Sequence, residues 1–228
     1  MNKKLYIVLV LVWVSLLSVH AQIGEQRHNF SVGFNAGMCH NSVSFQPRIQ
    51  QNGYSGITGG ITARYISEKY FSMICGAQLE MNYAQVGWDE KIDDNSGDTY
   101  SRQMNYVQIP FLAHLAFGKE PRGIQVFFNL GPQIGFLLSE NEKMSANFNM
   151  NNRTVTEQYG KMADKKFDYG ITGGMGLELK TGAGNFLIEG RYYYGLSDFY
   201  NTTKKDYFSR AAHTTIYAKV SYLFDLSR

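Results

Sequence analysis

The chain has 228 residues, 44% of them hydrophobic and 14% aromatic, with 22 basic against 19 acidic side chains. Such near-neutral charge leaves no polybasic footprint and excludes nucleic acid as an expected partner. A mean hydropathy of −0.28 suits either a soluble protein or a β-barrel in which only alternate strand residues meet lipid, so the phase of the pattern has to decide between them.

At the N-terminus Lys3 and Lys4 precede an uncharged run from Leu5 to Val19, followed by Val19-His20-Ala21. The run is shorter than the roughly 20 residues a spanning helix needs. Small residues at the first and third positions of that tripeptide suit signal-peptidase cleavage, with residues 1–21 removed and Gln22 as the mature start. No Cys follows that point, so a lipoprotein anchor is not supported.

The remaining chain, 22–228, reads as one all-β domain. Period-2 segments fall at 29–38, 55–66, 71–86, 103–117, 123–138, 167–180, 185–197 and 212–224. Each is long enough to cross the apolar core as a tilted strand. In the fifth, Ile124, Val126, Phe128, Leu130, Ile134, Phe136 and Leu138 share one face, opposite Gln125, Asn129 and Gln133. In the seventh, Phe186, Ile188, Gly190, Tyr192, Tyr194 and Leu196 oppose Asn185, Glu189 and Arg191. The last carries Ile216, Ala218, Val220, Tyr222 and Phe224 on one face and Thr215, Tyr217, Lys219 and Ser221 on the other.

Connections alternate in length. Those near 67–70, 118–122 and 181–184 are tight, whereas 39–54, 87–102, 139–166 and 198–211 are long and polar. Eight strands with both ends on one side and alternating short and long connections predict an antiparallel transmembrane β-barrel of the outer membrane, with periplasmic turns and extracellular loops. A soluble β-sandwich or lipocalin-like barrel would also alternate, but with its charged face outward. The signal, the aromatic content and the loop asymmetry favour the membrane barrel, with outer-membrane lipid as its surrounding partner.

The polar face carries Arg64, Glu80, Asp168, Glu178, Lys180, Glu189, Arg191 and Lys219. An eight-stranded barrel is only wide enough inside for side chains, and an unpaired charge there is costly. These eight residues are therefore expected to form a charge network that plugs the lumen rather than a narrow ion path. Cys39 falls beside an outer loop and Cys75 low on a lipid face, so the two are read as unpaired small apolar residues. No histidine lies at a metal-ligand spacing, and no cofactor or catalytic motif occurs. His114, beside the polar-face residues Tyr106 and Gln108, is read as a hydrogen-bonded lumen residue. Some small barrels hydrolyse lipids with Ser and His at the outer rim, but no His-x-Ser pairing stands out within a strand. The run Gly170-Ile171-Thr172-Gly173-Gly174-Met175-Gly176 lacks the end of a phosphate loop. Its lumen-face glycines are expected to make room for bulky neighbours.

Several stretches resemble the PorT-like outer-membrane barrels. Asn105-Tyr106-Val107-Gln108-Ile109-Pro110-Phe111-Leu112 is similar to their N-Y-L-E-I-P-x-L strand, with Gln108 in place of Glu. Gly131-Pro132-Gln133-Ile134-Gly135-Phe136-Leu137-Leu138-Ser139 and Arg191-Tyr192-Tyr193-Tyr194-Gly195-Leu196 resemble two further strands, and Ser221-Tyr222-Leu223-Phe224 their ending. The resemblance implies a barrel in the outer membrane with a structural or interaction role and no catalytic residues. It further implies an accessory part in type IX protein secretion, with other secretion or outer-membrane proteins as partners. A narrow channel for small solutes is the alternative. The loop 139–166, rich in Asn (Asn147, Asn149, Asn151, Asn152) and poor in apolar residues, is expected to be a structureless recognition surface or a polar shield.

Overall fold

The computed structural model describes residues 24–120, 122–150 and 153–227. The expected cleavage site after Ala21 lies outside them, as do Asn151 and Asn152 of the long loop. Eight antiparallel strands close into a barrel in chain order: β1 (Glu25–Gln46), β2 (Tyr54–Tyr70), β3 (Met73–Asp89), β4 (Tyr100–Gly118), β5 (Gly123–Met144), β6 (Phe167–Lys180), β7 (Asn185–Gly195) and β8 (Arg210–Ser227). β1 pairs with β8 from Phe30↔Ser227 to Gln46↔Arg210, so no edge is left open.

The outward face is the apolar one. Phe34, Ile61, Met81, Phe111, Leu130, Ile171, Ile188 and Val220 all stand exposed around the wall. In a soluble protein this belt would be a continuous aggregation surface; in a membrane it meets hydrocarbon. On β6 the outward residues run Phe167, Tyr169, Ile171, Gly173, Met175, Leu177 and Leu179. At about 3.3 Å per residue and a tilt near 40° that row spans about 30 Å along the bilayer normal, the thickness of the hydrocarbon core.

Several strands run well past this belt on the extracellular side, which the sequence pattern missed. Above Met38, β1 turns His40, Ser42 and Ser44 outward, and above Leu138, β5 turns out Ser139, Asn141 and Lys143. No lipid faces these positions, so the apolar half of the alternation disappears. A bulge accompanies the change: Asn105 pairs with Ser139 but Tyr106 pairs with Leu137, leaving Leu138 extra. The extra residue inverts the side-chain phase of β5. Glu140 and Glu142 thereby point toward the interior above the bulge, whereas even-numbered residues below it point to lipid.

Two further expectations need correction. Cys39 lies within β1 and faces the lumen, its thiol donating to the Gln85 carbonyl at 3.0 Å, because β1 continues seven residues beyond it. The longest connection begins at 145, not 139, and it is not structureless. Phe148, Val155, Tyr159 and Ala163 from it pack against the buried cluster at the barrel mouth. Both Cys39 and Cys75 are free thiols.

Glycines on β6 open space inside. A Cβ at Gly176 would stand 2.4 Å from the Phe127 ring, and one at Gly170 would stand 2.7 Å from that of Tyr193. Each bare backbone therefore accommodates a ring from a neighbouring strand.

Candidate functional site

The interior is filled in layers. At the periplasmic end Ile66, Ile74, Ala116, Phe127, Leu187 and Leu223 form a small buried apolar cluster. These are inward positions near strand ends, where the side chains converge beside the short turns.

Above it lies a layer of charge. Arg64 donates both terminal nitrogens to Glu178 at 2.6 and 2.7 Å. Arg191 donates to both oxygens of Glu80 at 2.9 and 2.7 Å and also reaches Glu189 at 2.7 Å, while Lys219 reaches Glu80 at 2.6 Å. Neutral amides complete the shell: Gln78 and Asn82 donate to Glu80, Asn129 donates to Glu189, and Asn35 donates to Asn82. His114 shares a hydrogen bond with Asn129 at 2.8 Å, and its other ring nitrogen faces Arg64 at 3.5 Å. Planar guanidinium forks matched to carboxylates fix both distance and orientation across the lumen.

Six of the eight polar-face charges thus meet, as Arg64 with Glu178 and as the group Glu80, Glu189, Arg191 and Lys219. Asp168 stands apart, higher in the barrel, where it accepts from Tyr193 at 2.7 Å and Ser197 at 2.5 Å. Lys180, at the periplasmic end of β6, is half-buried and closes no ion pair among the described residues.

The extracellular mouth carries a third layer that the sequence reading did not find. Phe45, Trp88, Tyr100, Phe199, Tyr200 and Phe208 are buried together. Trp88 packs edge-on to Phe45 at 5.0 Å and stacks on Phe199 at 5.7 Å. Arg102 lies over the Trp88 ring at 5.5 Å and binds Glu140 at 3.0 Å and Glu142 at 2.9 Å, the two carboxylates turned inward by the β5 bulge. It also donates to the Gln158 and Lys161 carbonyls, tying the loop 145–166 over the opening.

Outside this cluster Arg153 bridges Asp94 at 2.6 Å and Asp98 at 2.7 Å. Tyr159 donates to Glu90 at 2.8 Å. Hydrogen bonding from the Ser96 hydroxyl, then from its backbone N–H, together with the Arg153 charge, holds the Asp94 carboxyl below the ordinary aspartate range against a small desolvation cost. The signal that could have found this cap was present. Aromatic residues recur in segments otherwise read as polar loops, and an aromatic there needs an apolar surface to cover it.

His40 Nδ1 lies 3.0 Å from Ser55 Oγ across β1 and β2, a pair invisible as a linear motif because antiparallel register brings it together. No carboxylate contacts the His40 ring among the described residues, so the pair lacks the group that would orient a general base. No cluster of His, Cys, Asp and Glu among the described residues could hold a metal ion.

Among solved structures, the chain is similar to the outer membrane protein OprG from Pseudomonas aeruginosa, with 14% identity, a TM-score of 0.49, and coverage of 88% of this chain and 98% of that one. Neisserial surface protein A follows with 13% identity, a TM-score of 0.40, and coverage of 86% and 97%. For Ail, the attachment invasion locus protein of Yersinia pestis, the values are 12%, 0.35, and 87% and 100%. No curated protein matches the chain significantly. Residues 20–201, four-fifths of the sequence, match the family described as the outer membrane protein beta-barrel domain, and the chain belongs to that family.

Proposed function

We propose that this protein is a non-conducting, non-enzymatic barrel that anchors a folded extracellular cap, and that the cap is its recognition surface. The observation that carries this reading is the succession of three closures in one lumen: an apolar cluster, a paired charge layer and an aromatic mouth roofed by the loop 145–166. A conduit would need a continuous wet path. A scaffold for display needs rigidity at its outer end, which Arg102 supplies by tying the loop 145–166 to β4 and Arg153 by tying that loop to the β3–β4 connection.

The cap presents exposed apolar side chains above the membrane belt, Met162 at 63% and Tyr207 at 46% exposure. Photo-crosslinking residues placed there, and at the periplasmic-turn residue Phe71, test the reading in intact outer membranes. Protein adducts from Met162 and Tyr207 but not Phe71 are expected; adducts from Phe71 alone would move recognition to the periplasm.

The finer form of this reading is an accessory role in type IX secretion, supported by the resemblance of Asn105–Leu112 and Gly131–Ser139 to PorT-like strands. Removing the protein should then trap cargo of that route in the periplasm; unimpaired export would end the secretion reading and leave the display reading standing. Cleavage of residues 1–21 on export belongs to the same proposal and is checked by the mass of the mature N-terminus.

A further inference from the structure

The extracellular rim is electrostatically lopsided. Residues 89–98 carry Asp89, Glu90, Asp93, Asp94 and Asp98 with Lys91, and these acids are largely engaged by Arg153, Tyr159, Gln158 and Lys91. On the other side of the mouth stand Lys165, Lys166, Lys204, Lys205 and Arg210. The four lysines are exposed, and none of the five cations lies within ion-pair distance of a carboxylate among the described residues. The nearby acids are committed elsewhere. Asp164 accepts from the Asn201 N–H at 2.8 Å and pairs with Lys161; Asp206 accepts from Thr203 at 2.8 Å; Asp198 accepts from the Ala211 N–H at 2.7 Å.

The height of these cations matters as much as their charge. Lys166 immediately precedes the lipid-facing Phe167, and its carbonyl accepts from the Leu137 N–H at the top of the apolar belt. Arg210 reaches down to Tyr194, donating to its hydroxyl at 2.8 Å with the guanidinium 5.7 Å from the ring centre. Beneath them Phe167, Tyr169, Tyr194 and Leu196 stand half-exposed on the outer wall, and Phe167 contacts both Phe136 and Tyr169 in a continuous aromatic strip. Interfacial aromatics mark headgroup level. Unpaired cations directly above a lipid-facing aromatic strip complement a molecule with phosphate above and acyl chains below.

We propose that this rim binds a phosphorylated glycolipid of the outer leaflet, with its phosphates on Lys165, Lys166 and Arg210, its remaining anionic groups toward Lys204 and Lys205, and its acyl chains along Phe167, Tyr169 and Leu196. Each cation near an anionic membrane surface contributes about fivefold in binding, so loss of three should weaken retention by about a hundredfold.

The test reconstitutes the folded mature barrel into phosphatidylcholine nanodiscs containing equal small amounts of bisphosphorylated lipid A, its dephosphorylated counterpart or phosphatidylglycerol. Lipid retained on the isolated protein is measured by native mass spectrometry. Selective retention of the bisphosphorylated lipid is expected, with a loss of about a hundredfold in the Lys165→Gln, Lys166→Gln, Arg210→Gln triple variant. Lys91→Gln, on the acidic side, should retain it fully, and excess inorganic phosphate should not displace it. Heat-modifiable gel mobility verifies folding of each variant; Lys166→Gln alone, expected to lose about fivefold, serves if the triple variant does not fold. Equal retention of the dephosphorylated lipid or of phosphatidylglycerol, displacement by inorganic phosphate, or undiminished retention in the folded variants would each overturn the proposal.

Discussion

Arg191 and Glu80 lie 111 positions apart, on β7 and β3, and meet across the lumen in a two-pronged ion pair at 2.7 and 2.9 Å. Lys219 from β8 takes a Glu80 oxygen as well, so one carboxylate ties β3 to two strands that share no turn with it. Both partners' side chains are 2% exposed. Bringing those charges into the lumen is costly, and the gain depends on every member being present.

Glu80→Ala should therefore destabilise the barrel sharply. Lys219 would lose its carboxylate and Arg191 would retain only Glu189, a change expected to cost about 3–5 kcal/mol. Urea unfolding from vesicles, followed by gel mobility, measures it. A change below about 1 kcal/mol would mean that lumen water replaces the carboxylate freely.

Arg64 and Glu178 provide an independent pair at 2.6 Å. Removing either partner alone leaves a buried charge, while replacing both with apolar residues of similar size removes the mismatch. A double-mutant cycle with Arg64→Met and Glu178→Leu should show strongly non-additive loss, with the double variant more stable than Glu178→Leu alone. Additive losses would contradict a direct pair.

Gly176 should tolerate no side chain. A Cβ there would stand 2.4 Å from the Phe127 ring and 2.2 Å from the Ile188 carbonyl oxygen. Gly176→Val is expected to cost about 1–3 kcal/mol from overpacking. Gly190, whose Cβ would meet nothing within 4 Å, should accept alanine with little change in the same unfolding assay.

The cap can be followed through Trp88, which is fully buried and is the one tryptophan of the described residues. Its fluorescence should resist acrylamide in the native protein. Arg153→Ala should raise quenching at neutral pH by freeing the loop 145–166 from Asp94 and Asp98. Because Asp94 is held below its ordinary value of 3.8, its contribution to closure is fully present above that value. It is lost as pH falls through the lower, folded one. Quenching should stay flat from neutral pH down to about 4 and rise below it, with a smaller rise in Arg153→Ala. A rise beginning near neutrality would point to another group.

Much of the architecture was legible because lipid imposes a strict rule on alternate residues. The β6 row Phe167 to Leu179 and the β7 row Phe186 to Tyr194 fixed strand phase and number. Where that rule lapses, legibility lapses with it. From Ser139 to Lys143 both faces of β5 are polar, so that stretch read as loop. Register was harder to read still. Arg64 and Glu178 stand 114 positions apart, and which cation meets which carboxylate depends on how the ring closes rather than on local sequence. Asp168 illustrates the point, sharing a face with Arg191 yet finding the hydroxyls of Tyr193 and Ser197 instead. The cap was hard to read because its aromatic residues are scattered over separate polar connections, and only the fold brings Phe45, Trp88 and Phe199 together.

Single-channel recording in planar bilayers tests the closed-lumen account most directly. The folded barrel should show no discrete conductance steps, and removal of residues 145–162 should leave it silent, since the charge layer around Glu80 and the apolar layer around Phe127 remain. Steady openings in the intact protein, at neutral pH and without deletion, would contradict the account.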